Sequence, residues 1–169
     1  MTTQQIILWA SAYLIALVAV IYFTRATAQR VLGAMAGGAA AGLFGVGAIA
    51  LCESLGWWWV PYAPTPYFLA LFYLGASISL MPIYPVTWRL ARRFGWRGLA
   101  VFTGIVTIIG APRDYFIAAM FPKWMVFAPG VAPILADSAT YAGIVIVGHA
   151  VMRLVAGPAR ADRLARLSR

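Results

Sequence analysis

Residues 31–52 read VLGAMAGGAAAGLFGVGAIALC and contain no charged side chain. The hydrocarbon core of a bilayer is about 30 Å thick, so a helix needs about 20 residues to cross it. This run is long enough and apolar enough to be a transmembrane helix. Comparable runs recur, and the sequence predicts five transmembrane spans at about 6–24, 31–52, 67–88, 98–121 and 138–156, followed by a basic amphipathic tail at 157–169.

The composition of the chain is typical of an integral membrane protein. Of its 169 residues, 63% are hydrophobic and only 10% are charged. Soluble domains carry roughly 25% charged residues, so this chain has too few to cover a surface that faces water. The composition therefore excludes an ordinary soluble domain and a disordered chain, and the lone Cys52 excludes a disulfide scaffold. We predict an all-α, polytopic helical bundle that forms a single transmembrane domain across residues 1–169.

The distribution of basic residues predicts the orientation of the bundle. The chain has 13 Lys and Arg residues and a formal net charge of +9. Most of them fall between the first two spans, between the third and fourth, or after the fifth, whereas Lys123 is alone in the opposite connections. Because basic loops stay in the cytoplasm, we expect the N-terminus outside and the C-terminus in the cytoplasm, in the cell inner (plasma) membrane. The short basic blocks form no continuous surface, so nucleic acid is not an expected partner.

The two ends of the chain carry different signals. Residues 1–5 contain no basic side chain and Arg25 follows the first apolar run, so we expect that run to be retained as a helix rather than removed as a signal peptide. At the other end, the arginines after Gly157 and Pro158 suit the headgroups of anionic membrane lipids, or they act only as a determinant of topology.

The second span contains two pairs of glycines with GxxxG spacing, Gly33 with Gly37 and Gly38 with Gly42. Such pairs let two helix backbones approach closely, which gains van der Waals contact where lipid offers no hydrophobic driving force. Two interpretations stay open. The span is either an internal helix of a tight bundle, or an interface with a second copy of the chain or with another membrane protein.

The fourth span is interrupted by polar residues, in the sequence Gly110-Ala-Pro-Arg-Asp-Tyr115. We expect Pro112 to disrupt the helix there. Neighbouring residues of a helix project in different directions, so Arg113 is expected to pair with Glu53 or Asp137 rather than with Asp114. Asp114 would then accept hydrogen bonds from Tyr115, Tyr62 or Tyr67, from a backbone amide or from water.

Polar groups inside a membrane are costly, so these residues are candidates for a functional site. The predicted site is an outward-facing acidic and aromatic pocket, with Glu53 and Asp114 as candidate catalytic acids. The candidate substrate-binding residues are Arg113, Trp57, Trp58, Tyr62, Tyr67, Tyr115 and Asp137. A carboxylic acid in an apolar site can hold a proton for donation, and aromatic faces can stabilise a cation. The alternative is a structural ion pair that holds a kinked helix.

No metal or cofactor is expected. The only histidine, His149, cannot form a bis-histidine haem within one chain, and no Cys and His set has the spacing of a zinc site. We expect His149 to pack between helices. The proline-rich run 121–137 is too short and too broken to span, and it is predicted to be a lid over the pocket, a contact for another subunit or a plain loop.

Three functions are compatible with these observations. The first is a membrane protein that binds or transforms a hydrophobic small molecule of the lipid or isoprenoid type in its outer pocket. The second is a non-catalytic subunit or assembly factor of a larger membrane complex. The third is a carrier or capture subunit for a small solute, although the chain contains no internal repeat that is typical of transporters.

Overall fold

The computed structural model describes residues 2–61, 67–121 and 123–158. In chain order the elements are α1 (Thr3–Thr24), α2 (Ala28–Ser54), β1 (Trp58–Trp59), α3 (Phe68–Leu80), α4 (Ile83–Met120), β2 (Val126–Phe127) and α5 (Val131–Ala156). Helices make up about 83% of the described residues, which confirms the all-α class. Four apolar helical stretches are long enough to cross a membrane: Thr3–Thr24, Ala28–Ser54, Phe68–Met120 and Val131–Ala156.

The first two helices begin slightly earlier than predicted because polar residues cap them. Thr2 and Gln5 form a reciprocal capping box at the start of α1, in which each side chain bonds the backbone of the other residue. Thr27 caps α2 by accepting a hydrogen bond from the backbone amide of Arg30. Between the two helices, Arg25 ends α1 in a left-handed conformation with φ 51°.

The start of α5 corrects the predicted boundary at residue 138. The helix begins at Val131, after Gly130 with φ 123°, and Pro133 lies in its first turn. A proline is tolerated there because the first backbone amides of a helix have no acceptor within the helix. Asp137 therefore lies inside a helix and not in the predicted outer connection.

The predicted third span, 67–88, is divided between two helices. It comprises α3 and the first part of α4, which are separated by Met81 and Pro82. Within α4 the only residue with non-helical backbone angles is Gly95, with φ 65° and ψ −151°. The expected disruption at Pro112 is wrong, since α4 continues through it to Met120. Gly95 takes the break because a residue without a Cβ adopts a positive φ at little cost.

α2 packs closely against α5 through its first pair of glycines. A Cβ added to Gly37 would lie 2.5 Å from the carbonyl oxygen of Gly148, and one added to Gly33 would lie 2.7 Å from the Cβ of Ala156. Both distances are shorter than a van der Waals contact. The absence of side chains at these two glycines is therefore what allows the two backbones to approach.

The second pair of glycines places α3 on the other side of α2. A Cβ on Gly38 would lie 2.8 Å from the backbone oxygen of Ser77, and one on Gly42 would overlap the side chain of the same serine. Both GxxxG pairs are thus buried against helices of the same chain. A partner that binds α2 would have to contact its exposed side, which carries Leu32, Met35, Leu43 and Leu51.

Arginine side chains hold the helices together at one end of the bundle. Nη1 of Arg89 donates a hydrogen bond of 2.9 Å to the last carbonyl of α1, on Thr24. Arg30 is only 2% exposed, and it donates to the carbonyls of Gly157 and Pro158, which follow α5. Cations are favourable at helix C-termini, where carbonyl groups lack partners. The C-termini of α1 and α5 therefore lie at the same end as the N-terminus of α2.

At the opposite end, a short two-stranded ribbon joins the two connections. β1 pairs antiparallel with β2, with Trp58 opposite Phe127 and Trp59 opposite Val126. Beside it, the ring of Trp124 lies edge-on to that of Trp9 in α1, with 5.4 Å between the ring centres. The segments that follow α2 and α4 are thus held together at this end, which we call the ribbon end.

Candidate functional site

A cavity of about 380 Å³, partly open to the surface, lies among the helices toward the ribbon end. Pockets that bind small molecules commonly measure about 300–1,000 Å³. All five helices and both connections contribute to its walls, which are mainly apolar and aromatic. The residues that define its shape include Trp9, Tyr13, Gly45, Trp58, Phe72 and Trp124.

Small residues in its walls contribute to the space of the cavity. α1 packs mainly against α3, so it leaves a gap beside α2 and α5. Gly45 of α2 faces this gap, and a Cβ added to it would meet only Ile144 at 4.0 Å. Ala76 of α3 and Ala10 of α1 also line the space. The same helix that packs tightly through its other glycines thus leaves room at Gly45.

A polar cluster of Arg113, Asp114 and Tyr141 lies in the wall of the cavity. Nε of Arg113 is 3.6 Å from Oδ1 of Asp114. The hydroxyl of Tyr141 donates a hydrogen bond of 2.7 Å to Oδ2 of Asp114 and accepts one of 3.1 Å from Nη1 of Arg113. The expectation that Arg113 pairs with Glu53 or Asp137 instead of Asp114 is therefore wrong. The long arginine side chain reaches back to its neighbour, and a tyrosine from α5 closes the triangle.

Gly110 explains why Tyr141 can reach this cluster. It lies one turn before Arg113 on α4, where a Cβ would overlap the ring of Tyr141. Residues three or four apart share a helix face, so the glycine provides the space beside the two charged side chains. The segment from Gly110 to Asp114 thus provides both the space for the ring of Tyr141 and the two side chains that bind its hydroxyl.

Asp137 is a second acidic group in the wall of the cavity. It lies one turn before Tyr141 on the same face of α5, and it is only 3% exposed. Its Oδ2 atom accepts no hydrogen bond from any residue in the described ranges. An unsatisfied buried polar group costs about 1–3 kcal/mol, which is unusual enough to require an explanation. Asp114, in contrast, is satisfied by Arg113 and Tyr141.

Four of the predicted site residues line the cavity, namely Trp58, Arg113, Asp114 and Asp137. The other described candidates lie outside its walls. Glu53 is exposed at the end of α2, and Tyr67 is 57% exposed before α3. Tyr115 stacks on Phe127 with 4.0 Å between ring centres. Trp57 is half-buried beside β1, and Tyr62 lies outside the described residues.

Several residues of the cavity, above all Tyr141 and Trp9, were not predicted from the sequence. Their signal is weak, because a tyrosine or tryptophan in an apolar span is usually part of the helix packing. For Tyr141 the spacing of four residues from Asp137 is the one pattern that indicates a shared face. Trp9 and Trp124 come from distant segments, so only the fold brings them together.

His149 and Cys52 lie away from this cavity. Nδ1 of His149 is 2.9 Å from the hydroxyl of Thr87, which places the histidine between α5 and α4. Among the described residues, no group of three His, Cys, Asp or Glu side chains could hold a metal ion. The buried Cys52 is a free thiol.

No protein-family model matches this chain, and comparisons with curated proteins and with solved structures find no significant match. The site itself offers an ion pair closed by a tyrosine hydroxyl, a further buried carboxyl group and aromatic walls. Such a set can bind an apolar molecule that carries one polar group, and it places acidic side chains next to that group.

Proposed function

We propose that this chain is a multi-pass protein of the cell inner membrane that binds a hydrophobic small molecule, of the lipid or isoprenoid type, in the cavity at the ribbon end. The observation that carries this proposal is the combination of the 380 Å³ space, its aromatic walls and the polar groups of α4 and α5 that line it. Apolar walls with a few convergent polar groups are typical of small-molecule sites.

Five transmembrane spans remain part of the proposal. The stretch Phe68–Met120 has 53 residues, and as one straight helix it would be about 80 Å long, more than twice the thickness of a bilayer core. The non-helical backbone at Gly95 supports a division into two spans. The pairing of β1 with β2 also supports it, because five spans put both connections on one side of the membrane.

The arginine side chains support the proposed orientation. Arg30 and Arg89 lie at the end opposite the ribbon, together with the basic residues around Gly95. With the basic end in the cytoplasm, the N-terminus and the cavity lie in the outer half of the membrane. A ligand would then enter from the outer leaflet or from outside the cell.

A narrower proposal is that the bound molecule is also transformed. Proton donation to an alkene or an ether would require an acid in contact with the ligand. Asp114 and Asp137 line the cavity, whereas Glu53 is exposed beyond it, so the geometry favours the two aspartates for this role. Asp114 is engaged by Arg113 and Tyr141, which makes Asp137 the freer of the two.

Filling the cavity tests the binding function. We expect Gly45→Leu to reduce the amount of hydrophobic molecule that copurifies in mild detergent by at least about tenfold, since its side chain occupies the space in front of Ile144. Organic extracts of the purified protein would be compared by mass spectrometry. Gly47→Leu is the matched control, because a Cβ at Gly47 meets nothing within 4 Å.

Equal amounts of bound molecule in the two variants would overturn the binding function. So would a wild-type protein that carries only detergent and bulk lipid. The subunit hypothesis would instead be favoured by a second protein at equal stoichiometry in the same preparation. The carrier hypothesis would require uptake of a solute into liposomes that contain the purified chain.

A further inference from the structure

The path by which a ligand reaches the cavity can be inferred from the packing of α1. We propose that the cavity takes one apolar chain of a lipid that stays in the surrounding leaflet, and that this chain enters sideways between α1 and the part of α4 after Gly95. This inference rests on the proposed binding function. It adds the class of ligand, which is a resident of the bilayer rather than a solute that arrives from water.

The helices surround the cavity in a circle that is loose at one place. α3 packs between α1 and α2, and α5 packs between α2 and α4. The circle is completed where α1 meets α4, and contacts between these two helices are sparse. Arg89 joins them at the end opposite the ribbon, where its Nη1 atom donates to the carbonyls of Phe23 and Thr24. Arg89 precedes Gly95, whereas Arg113 borders the cavity beyond it.

The exposed residues of the cavity wall lie on these same two helices. Among the described residues that line the cavity, Trp9 and Arg113 are exposed, and the others are buried or half-buried. Trp9 is 36% exposed on α1, and the side chain of Arg113 is 45% exposed on α4. We therefore place the opening of the cavity between Trp9 and Arg113, and we call it the lateral gap.

The lateral gap lies at the depth of lipid chains. At a rise of 1.5 Å per residue, Trp9 and Arg113 are each about 10 Å from the ribbon-side end of their helix. Ile109 and Phe116 lie one turn to either side of Arg113, and they are 58% and 65% exposed. Exposed apolar side chains on a membrane-spanning helix face lipid, so the gap opens to the bilayer. Charged residues within such helices commonly mark the pathway of a substrate.

Aromatic side chains cover the cavity toward the ribbon end. Trp58 lines it from β1 and is only 1% exposed, and its ring lies edge-on to that of Phe127 in β2. Trp124 lines it from the connection after α4, and its ring packs against that of Trp9 in α1. These contacts cover the side that faces water in the proposed topology. The chain of a lipid therefore enters through the lateral gap.

Ala16 offers a position from which the lateral gap can be blocked. It lies two turns after Trp9 on the same face of α1, and it lines the cavity with a small side chain. Ala16→Trp thus places a large side chain in the gap. Ser11→Trp is the matched control, because Ser11 is an exposed residue of the same helix that does not line the cavity.

Photolabelling in vesicles tests the lateral path. The probe is a phosphatidylcholine with a diazirine at the end of one acyl chain, mixed into phosphatidylcholine vesicles that contain the purified protein. Two acyl chains hold this lipid in the bilayer, so its diazirine reaches the cavity from the side. We expect labels on Trp58 and Ile144, which line the cavity and are 1% and 8% exposed. Mass spectrometry of peptides locates the labels, and the 66% exposed Leu43 is the reference for contact with bulk lipid.

The variants show whether the labels depend on the gap. Ala16→Trp should lose the labels at Trp58 and Ile144 and keep the label at Leu43, because contact with bulk lipid is unchanged. Ser11→Trp should keep all three labels. If Ala16→Trp does not fold, Ala16→Leu is the second variant, and its smaller obstruction should lower the two cavity labels relative to Leu43.

A second probe separates failure of the lateral path from failure of the binding function. It is octanol with a diazirine on its chain, added from water. If the octanol labels Trp58 and Ile144 but the phospholipid does not, the lateral path is wrong and the binding function stands. Phospholipid labels that persist in Ala16→Trp, or that are lost equally in Ser11→Trp, would also overturn the lateral path. If neither probe labels Trp58 or Ile144, the proposed binding function itself fails.

Discussion

The hydroxyl of Tyr141 links the two charged residues of α4. One oxygen atom accepts from Arg113 and donates to Asp114, so a group from α5 completes an ion pair that the local helix geometry alone would leave loose. Charged groups at membrane depth are costly unless they are paired and hydrogen-bonded. The tyrosine therefore makes the pair tolerable in an apolar bundle, and it joins α4 to α5 at the same point.

Replacing Tyr141 by Phe tests the contribution of this hydroxyl. We expect the free energy of unfolding to fall by about 1–3 kcal/mol, because the change leaves a partly buried acceptor on Asp114 without its hydrogen bond. Denaturant titration in detergent, followed by helical circular dichroism, measures the effect. Tyr22→Phe removes a hydroxyl from a side chain that is 78% exposed and should be neutral. Equal stability of the two variants would contradict this role.

Among the helices, α2 has two different functions in the fold. Its glycines at Gly33, Gly37, Gly38 and Gly42 bring α5 and α3 into backbone contact, whereas Gly45 opens onto the cavity. In the half of α2 that lies nearer the arginine end, the glycines thus serve to pack the helix against its neighbours. One turn further toward the ribbon end, the same residue type leaves open space in the wall of the cavity.

The contact of α2 with α5 predicts opposite effects at two glycines. Gly37→Ala should lower the free energy of unfolding by about 1–3 kcal/mol, since its Cβ would lie 2.5 Å from the carbonyl oxygen of Gly148. Gly47→Ala adds the same atom where nothing lies within 4 Å, and it should raise stability by up to about 1 kcal/mol through helix propensity. Effects of the same sign in both variants, measured by thermal unfolding in one detergent, would argue against the close approach.

The apolar runs of the sequence predicted where helices form, because a continuous apolar stretch has few alternatives to a helix in a membrane. Prolines were harder to interpret. Pro133 suggested a loop but lies in the first turn of α5, which moved Asp137 into the helix. The contact between Arg113 and Tyr141 depends on how α4 and α5 are aligned, and a single sequence contains no information on that alignment. The presence of a polar cluster was predictable, but its partners were not.

At the scale of the whole molecule, the two ends of the bundle differ in chemistry. Arginine side chains join helix termini at one end, and aromatic residues and the ribbon cover the other. The cavity lies nearer the aromatic end. In the proposed arrangement of five spans, the arginine end of the bundle lies in the cytoplasm and both connections of the ribbon lie outside the cell.

Cysteine labelling tests that topology in a Cys52→Ser background. A membrane-impermeant maleimide should label Ser54→Cys and Lys123→Cys in intact cells, because both positions are exposed at the ribbon end. Phe94→Cys, which is 54% exposed beside Gly95, should react only after the membrane is permeabilised. In a five-span protein, two crossings separate these two positions, so both lie on the same side of the membrane, as the pairing of β1 with β2 requires. Labelling of Ser54→Cys and Lys123→Cys from opposite sides would therefore exclude five spans. The reverse pattern at all three positions would keep the five spans and invert the orientation, which would place the cavity in the cytoplasmic leaflet.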